Sequence, residues 1–285
     1  MLPIVKTLGL RTEERQSAED LLALANQLEG LDLPISLEPS IPSTLEANHF
    51  LYYEGGSLVG LAIIQEFTEV EACALVHPDG RRQGIGRALL DEIQVECRRH
   101  GHAHLLLLCD ETSASGRAFM AAVGAQYQSA EYHMELNPPA IDRSRPRPEG
   151  LQLRPAGAED IDLLTLLQMT SFDDVEEEIR QRVTQSLQDP TRQYFIGYLD
   201  KEPIGLLRLG RYEKSADVTA FGVIPSYRGQ GYGRQMLLDA IDRLLVENWP
   251  QISIDVATDN QNALRLYQSC GFQVTQTYGF YALPL

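Results

Sequence analysis

The residues with the clearest chemical capacity fall in two short runs. One is Val223-Ile224-Pro225-Ser226-Tyr227-Arg228-Gly229-Gln230-Gly231-Tyr232-Gly233-Arg234; the other is Val76-His77-Pro78-Asp79-Gly80-Arg81-Arg82-Gln83-Gly84-Ile85-Gly86-Arg87. In each, an apolar β-type stretch stops at a proline, a basic glycine-rich turn follows, and an amphipathic helical pattern begins. The start of a helix offers N–H groups with no partner inside the helix, and its dipole favours negative charge. Glycine lets a ligand approach the backbone, and the flanking arginines add full charges. The chemistry supported by this order is the binding of an anion, a phosphate group above all.

Spacing narrows the ligand. A P-loop needs Gly-Lys-Ser/Thr, which neither run contains, and a dinucleotide fingerprint needs a third glycine where Met236 and Leu89 stand. What remains is Arg-x-x-Gly-x-Gly, read as Arg228, Gly231, Gly233 and again as Arg81, Gly84, Gly86. This resembles the acetyl-coenzyme A pyrophosphate loop of the GNAT superfamily of N-acetyltransferases. The resemblance implies that Arg228, Gln230, Gly231, Tyr232, Gly233 and Arg234 line the pyrophosphate, with Arg81, Gln83, Gly84, Ile85, Gly86 and Arg87 doing likewise in the first half. It further implies that backbone N–H groups near Val223 and Ile224, with Val76 as the first-half counterpart, bond the pantetheine amide and polarise the thioester carbonyl.

A second segment, Asn260-Gln261-Asn262-Ala263-Leu264-Arg265-Leu266-Tyr267-Gln268-Ser269-Cys270-Gly271-Phe272, resembles the family's Asn-x-x-Ala-x-x-x-Tyr-x-x-x-Gly-Phe pattern. By that resemblance Asn260 contacts the pantetheine arm, and the Tyr267 hydroxyl bonds the departing sulfur and protonates it. A phenol stays protonated at neutral pH and so can donate. A core tyrosine with a satisfied hydroxyl is the alternative reading. The equivalent first-half residues are Ser113 and Met120, and a thioether has no proton to give. One branch of the family takes its base from a carboxylate on the strand before the loop, a register that Asp217 occupies. Alternation puts Asp217, Thr219, Phe221 and Val223 on one face of that strand. Glu213 is the next candidate, and Asp217 is also readable as a solvated charge at a strand end. Its counterpart is Val70, flanked by Glu69 and Glu71.

The elements that must hold these groups are repeated too. Val76 and Val223, Arg81 and Arg228, Gly84 and Gly231, and Gly124 and Gly271 all stand 147 residues apart. One register held from the strand before the loop to a glycine about 40 residues beyond it signals duplication of a whole domain. Apolar alternation predicts hairpins at Phe50–Gln65 and Tyr194–Leu209, strands at Val70–Val76 and Val218–Val223, and amphipathic helices over Ile85–Arg99 and Tyr232–Glu247. The stretch from Leu33 to Pro42 is irregular and contains prolines, and a polar helix starts at Val175. The segment from Asn137 to Gly150 carries Pro138, Pro139, Pro146 and Pro148 with Arg143, Arg145 and Arg147 between them, and cannot hold a helix or central strand. Its arginines could reach coenzyme phosphates; an exposed linker is the simpler reading. The expected organisation is an N-terminal domain, 1–137, that has lost catalysis, a linker, 138–150, and a catalytic domain, 151–285. Each domain is an α/β (α+β) fold with a mixed, mostly antiparallel sheet flanked by helices.

Composition sets the outer limits. The 285 residues carry a formal charge of −16, which argues against a nucleic-acid backbone as partner and weakly favours a cationic acceptor. Cys73, Cys97, Cys109 and Cys270 lack Cys-x-x-Cys spacing and read as reduced core residues of a cytoplasmic protein. No apolar run is long enough to span a bilayer. His100, His102 and His104 alternate, but no Asp, Glu or Cys within that segment completes a ligand set, so no metal is expected. The sequence therefore predicts an enzyme that transfers acetyl from acetyl-coenzyme A to a small-molecule or protein amine. A non-catalytic acyl-coenzyme A binding or sensing protein is the alternative.

Overall fold

A computed structural model describes residues 4–31, 33, 37, 45–66, 69–172 and 176–285. Most of the stretch 33–42, and Val175 at the start of the polar helix, lie outside the described residues. In chain order the elements are β1 (Ile4–Thr7), α1 (Thr12–Glu29), β2 (His49–Glu54), β3 (Ser57–Glu66), β4 (Val70–Val76), α2 (Ile85–Arg99), β5 (His104–Asp110), α3 (Ala114–Val123) and β6 (Gln126–Leu136). They continue with β7 (Leu151–Pro155), α4 (Ile161–Ser171), α5 (Glu176–Gln188), β8 (Arg192–Leu199), β9 (Glu202–Arg211), β10 (Ala216–Val223), α6 (Tyr232–Val246), β11 (Ile252–Ala257), α7 (Gln261–Ser269) and β12 (Phe272–Pro284).

The chain forms two compact units, Met1–Glu131 with Gln276–Leu285, and Tyr132–Thr275. In the first, β1 to β4 pair antiparallel in sequence order, β5 joins β4 in parallel, and the C-terminal part of β12 lies antiparallel to β5. In the second, β7 to β10 are antiparallel neighbours, β11 joins β10 in parallel, and β6 lies beside β11. Each unit is thus a mixed, mostly antiparallel sheet with helices on both faces, the fold expected from the sequence. The helix after each glycine turn buries the face its spacing assigns: Leu89, Leu90, Ile93 and Cys97 on α2, Met236, Leu237, Ala240, Ile241 and Leu244 on α6. Together with the inward side chains of the strands these form one core layer per unit. A second layer lies across each sheet, under α1 in the first unit and under α4 and α5 in the second.

Two features differ from the sequence expectation. The last ten residues, assigned above to the C-terminal domain, belong to the first unit, where Tyr278 stands opposite Asp110 and Pro284 opposite His104. Residues 132–137, assigned to the N-terminal domain, belong to the second. Alternation identifies a strand but not the edge it joins, because partner choice depends on side-chain fit across the pair. The proline-rich segment is exposed, yet it is tied down. Arg143 pairs with Asp242, and Arg147 pairs with Asp239 and Asp242, all on α6. These arginines meet carboxylates of their own unit.

Candidate active site

The two glycine turns share one backbone form. Gly231 (φ 90°, ψ −8°) and Gly84 (φ 88°, ψ −2°) are the N-caps of α6 and α2 in the left-handed region, where a side chain would be strained. No side chain caps either helix, and neither first turn holds an acidic residue. In α6 the Gln235 N–H is the first to find an acceptor within the helix, the Gly231 carbonyl at 3.0 Å, so the amides of Tyr232, Gly233 and Arg234 have none there. The arginine that opens each motif braces the turn: Arg228 Nε donates to the Val223 carbonyl (2.7 Å) and Arg81 Nε to that of Val76 (3.1 Å). The Gln230 and Gln83 side chains donate back to the Ser226 and Asp79 carbonyls. Arg234 turns the other way. Its guanidinium donates to the carbonyls of Asp142 and Ser269, so it anchors the proline-rich segment rather than charging the turn.

The strand leading into the second turn is interrupted where the first is regular. β4 pairs with β3 without a break from Val70 to Val76, whereas β10 shifts register against β9 between Thr219 and Gly222, with Ala220 at φ 46°. The bulge adds a residue and inverts the alternation. Asp217 and Thr219 therefore face α4 and α5, while Phe221 and Val223 pack with Ala216 and Val218 in the layer under α6. The expectation of one shared face for Asp217, Thr219, Phe221 and Val223 is corrected by this bulge. β10 also pairs with β11 only through Ala216 and Asp217, after which the strands part. The Ile224 N–H is engaged by the Ile204 carbonyl at 2.9 Å, so it cannot bond a pantetheine amide. Alternation turns the Val223 N–H to the opposite edge, into the gap between β10 and β11.

That gap is bordered by α7. Asn260 caps α7 by accepting the Ala263 N–H (3.1 Å), which leaves its amide nitrogen at the surface. Tyr267 is buried, its ring 6.1 Å from Phe221 and 6.4 Å from Phe272. None of the described residues hydrogen-bonds its hydroxyl, and the oxygen is not among the sealed polar atoms. Burial, followed by the charge of Asp255, raises the phenol pKa, so it holds its proton firmly.

Asp217 accepts the Gly210 N–H (2.9 Å) and the Tyr212 hydroxyl (3.1 Å). Burial raises its pKa, against the opposing pull of Arg208. Sequence reading missed a second carboxylate, Asp255 on β11, whose Oδ1 lies 2.6 Å from His133 Nδ1 on β6. It perturbs both Asp217 and Tyr267, and alternation along β11 places it away from Ile254 and Val256, on the Asp217 face. Period two on a strand assigned to β11 could have found Asp255; nothing local marks His133, which arrives from 122 residues away. Glu213, the other candidate, is exposed in the turn between β9 and β10.

In the first unit Met120 is buried at the Tyr267 position; because the β10 bulge shifts the register, the ladder position of Asp217, opposite Ser253, is held by Glu71, opposite Leu106, and not by the expected Val70. Arg81 pairs there with Glu29 at the end of α1, and the Ser113 and Ser115 hydroxyls each donate to the same carboxylate at 3.1 Å. In the second unit the corresponding arginine nitrogen meets a neutral carbonyl, that of Ser171. His100 and His102 face separate carboxylates, Glu96 and Glu66, each at 3.4 Å. Among the described residues no group of three or more His, Cys, Asp or Glu is placed to hold a metal ion, and no helix is long and apolar enough to cross a membrane.

Comparison with known proteins agrees with this geometry. Residues 161–272 match the "Acetyltransferase (GNAT) family", and residues 46–132 match the "Acetyltransferase (GNAT) domain". A mycothiol acetyltransferase of Thermomonospora curvata is 27% identical over 270 residues, covering 88% of this chain and 89% of its own. One from Clavibacter michiganensis is 27% identical over 216 residues, 72% of this chain and 69% of its own. A GCN5-related N-acetyltransferase of Sphaerobacter thermophilus superposes with TM-score 0.79 at 15% identity over 100% of this chain and 97% of its own. A tandem GNAT protein from the clavulanic acid biosynthesis pathway gives 0.75 at 21%, covering 100% and 98%. The layout of two unequal halves also resembles mycothiol synthase, and GNAT acetyltransferases use acetyl-coenzyme A. With a family match in each half and relatives aligned across most of its length, the chain belongs to the GNAT acetyltransferases, as an enzyme with two such domains in tandem.

Proposed function

We propose that the second unit transfers acetyl from acetyl-coenzyme A to the amine of a small molecule or protein by direct attack. The observation that supports the reading is that the bulge in β10 turns Phe221 under α6 beside Tyr267, whose phenol bonds no described residue. The residues fit the coenzyme. Uncapped amides at the start of α6 suit a diphosphate, and the Val223 N–H and the free end of Asn260 suit a chain of amides. Acetyl-coenzyme A, when bound, supplies the activated acetyl group and a thiolate leaving group.

The protein supplies proton handling and position. The amine must lose a proton to form the amide, and the Asp217 and Asp255 carboxylates share the face from which it would approach. Asp217, its pKa raised by burial, is the proposed base, with Asp255 steadied by His133 beside it. Tyr267 donates its hydroxyl proton to the sulfur. The first unit, with Met120 at the Tyr267 position, lacks the acid, although Glu71 stands at the ladder position of Asp217, and it is proposed to be non-catalytic. Four buried, unpaired thiols fit a cytoplasmic setting.

The test is release of free thiol from acetyl-coenzyme A across an amine panel, which includes the unacetylated precursor of mycothiol because the relatives' name points there. Wild type and Tyr267→Phe are run together. A loss on the order of 10²-fold in turnover is expected. A loss under about threefold in the chemical step removes Tyr267 from the acid role, and coenzyme binding with no accepted amine favours the sensing alternative.

A further inference from the structure

The face of the second sheet that carries Asp217 also holds an arginine that forms an ion pair with no described residue, although its charge is felt by Asp217 and Asp189. Arg208 extends from β9, partly buried, with its guanidinium 5.8 Å from the Tyr194 ring centroid. Its Nε donates to Thr219 Oγ1 and one terminal nitrogen to Ser186 Oγ, both at 3.0 Å. Both partners are neutral hydroxyls. Among the described residues no Asp or Glu oxygen lies within ion-pair distance of Arg208, and none accepts a hydrogen bond from its second terminal nitrogen. An arginine carries five N–H donors in a planar fork matched to carboxylate and phosphate, and holding one half-buried without an anion is costly. The fold does not require it: the residue at the same ladder position in the first unit is Ile63, buried, opposite Cys73 where Thr219 stands.

We propose that Arg208 receives an oxyanion of the acceptor, so that the molecule acetylated carries a carboxylate or phosphate as well as its amine. The inference rests on the acetyl-transfer reading above and narrows it. Arg208 stands across from Thr219, two residues along β10 from Asp217, which is about 7 Å at the rise of a strand. The acceptor therefore places its amine and its anionic group several bonds apart, the amine toward Asp217 and Asp255 and the anion toward Arg208. Thr219 and Ser186 hold the guanidinium fork in place, and Tyr194 supports it from beneath.

The test uses the full chain saturated with coenzyme A, so that the glycine turn is filled and cannot serve as the anion site. Binding of coenzyme A is measured first in the same sample; its failure strikes the acetyl-transfer reading itself. The guanidinium N–H signal of Arg208, assigned by its loss in Arg208→Leu, is then followed by NMR during titration with succinate and separately with inorganic phosphate. A saturable shift with one or both is expected, and which probe acts distinguishes the two anion classes. Coenzyme bound but no Arg208 response to either probe overturns the inference. In activity, 4-aminobutyrate and phosphoethanolamine are compared with n-butylamine. An advantage of about tenfold or more for an anionic amine is expected, collapsing in Arg208→Leu and in Arg208→Gln while the circular dichroism melts of both remain cooperative. An equal preference for n-butylamine in wild type also counts against it.

Discussion

Gly231 and Gly233 are separated by one residue, and the structure assigns them opposite sensitivities to alanine. Gly231 holds φ 90°, so Gly231→Ala forces a side chain into the left-handed region at a cost of about 1–2 kcal/mol, with the new Cβ 3.4 Å from Pro148 Cγ. Gly233 is an ordinary helical residue. A Cβ there meets Val223 Cγ2 at 3.5 Å, Leu266 Cδ2 at 3.6 Å and Phe221 Cζ at 3.7 Å, all normal contacts, and replacing a helical glycine by alanine stabilises by about 0.5–1 kcal/mol. Yet those three neighbours are walls of the gap between β10 and α7, so the added methyl stands where the pantetheine arm would pass. Losing hydrogen bonds to charged phosphate costs roughly 1.5–3 kcal/mol each, which weakens coenzyme binding by about tenfold or more. The assay pairs urea melts, followed by the single tryptophan, Trp249, in the second unit, with calorimetric titration of coenzyme A. Gly233→Ala is expected to fold at least as well as wild type and bind poorly. If its coenzyme affinity stays within about threefold of wild type, the gap is not the coenzyme path and the mechanism built on it fails.

Coenzyme A is expected to bind with one site per chain, because Glu29 occupies the Arg81, Ser113 and Ser115 cluster of the first unit; two equivalent sites by calorimetry would contradict this. Burial, reinforced by Glu131 and Glu69, raises Glu71 to about 7 from the 4.5 of a free glutamate. The native state then keeps a proton that the unfolded chain has released, so the stability of the first unit is fullest below 4.5 and is lost as pH rises through 7, by up to ~3 kcal/mol. Glu71→Gln should flatten that dependence in denaturant melts followed by circular dichroism. Burial pushes the thiols of Cys73 and Cys109 up to about 12 and that of Cys97 to about 11. Native protein near neutral pH should therefore resist a thiol reagent, with all four cysteines reacting in denaturant; rapid labelling of any of these three would show its site to be open.

Much of the fold was legible because the signals were local. The helical faces of α2 and α6 follow from 3.6-residue spacing, and the turns follow from glycines that only a left-handed backbone explains at Gly84 and Gly231. Non-local choices were hidden. Gln276–Leu285 alternates as well as any strand, but nothing within it says that it pairs with β5 rather than with a strand of its own half. The orientation of Arg234 was hidden too, since its partners are carbonyls at Asp142 and Ser269 on opposite sides of it in sequence. Asp255 escaped notice because its partner His133 lies on β6, beyond the linker.

The bulge in β10 shows why one residue can divide two duplicated domains. In β4 every residue from Val70 to Val76 has a partner on β3, so the strand is regular, although β5 joins it only at Glu71 and Ala72, as β11 joins β10 only at Ala216 and Asp217. In β10 the extra residue at Thr219–Gly222 swings Phe221 and Val223 under α6 while leaving Asp217 and Thr219 on the opposite face. A single strand thereby contributes Phe221 and Val223 to the layer under α6 and the Asp217 carboxylate to the opposite face, as regular alternation does in β4 with Val76 and Glu71. Deleting Ala220 should restore a regular ladder and remove the register shift beside β11, with Asp217 and Phe221, then three residues apart, still on opposite faces. The expected result is a second unit that still folds, judged by Trp249 fluorescence, but no longer acetylates any amine. Retained turnover in the Ala220 deletion would show that the register shift is incidental to catalysis.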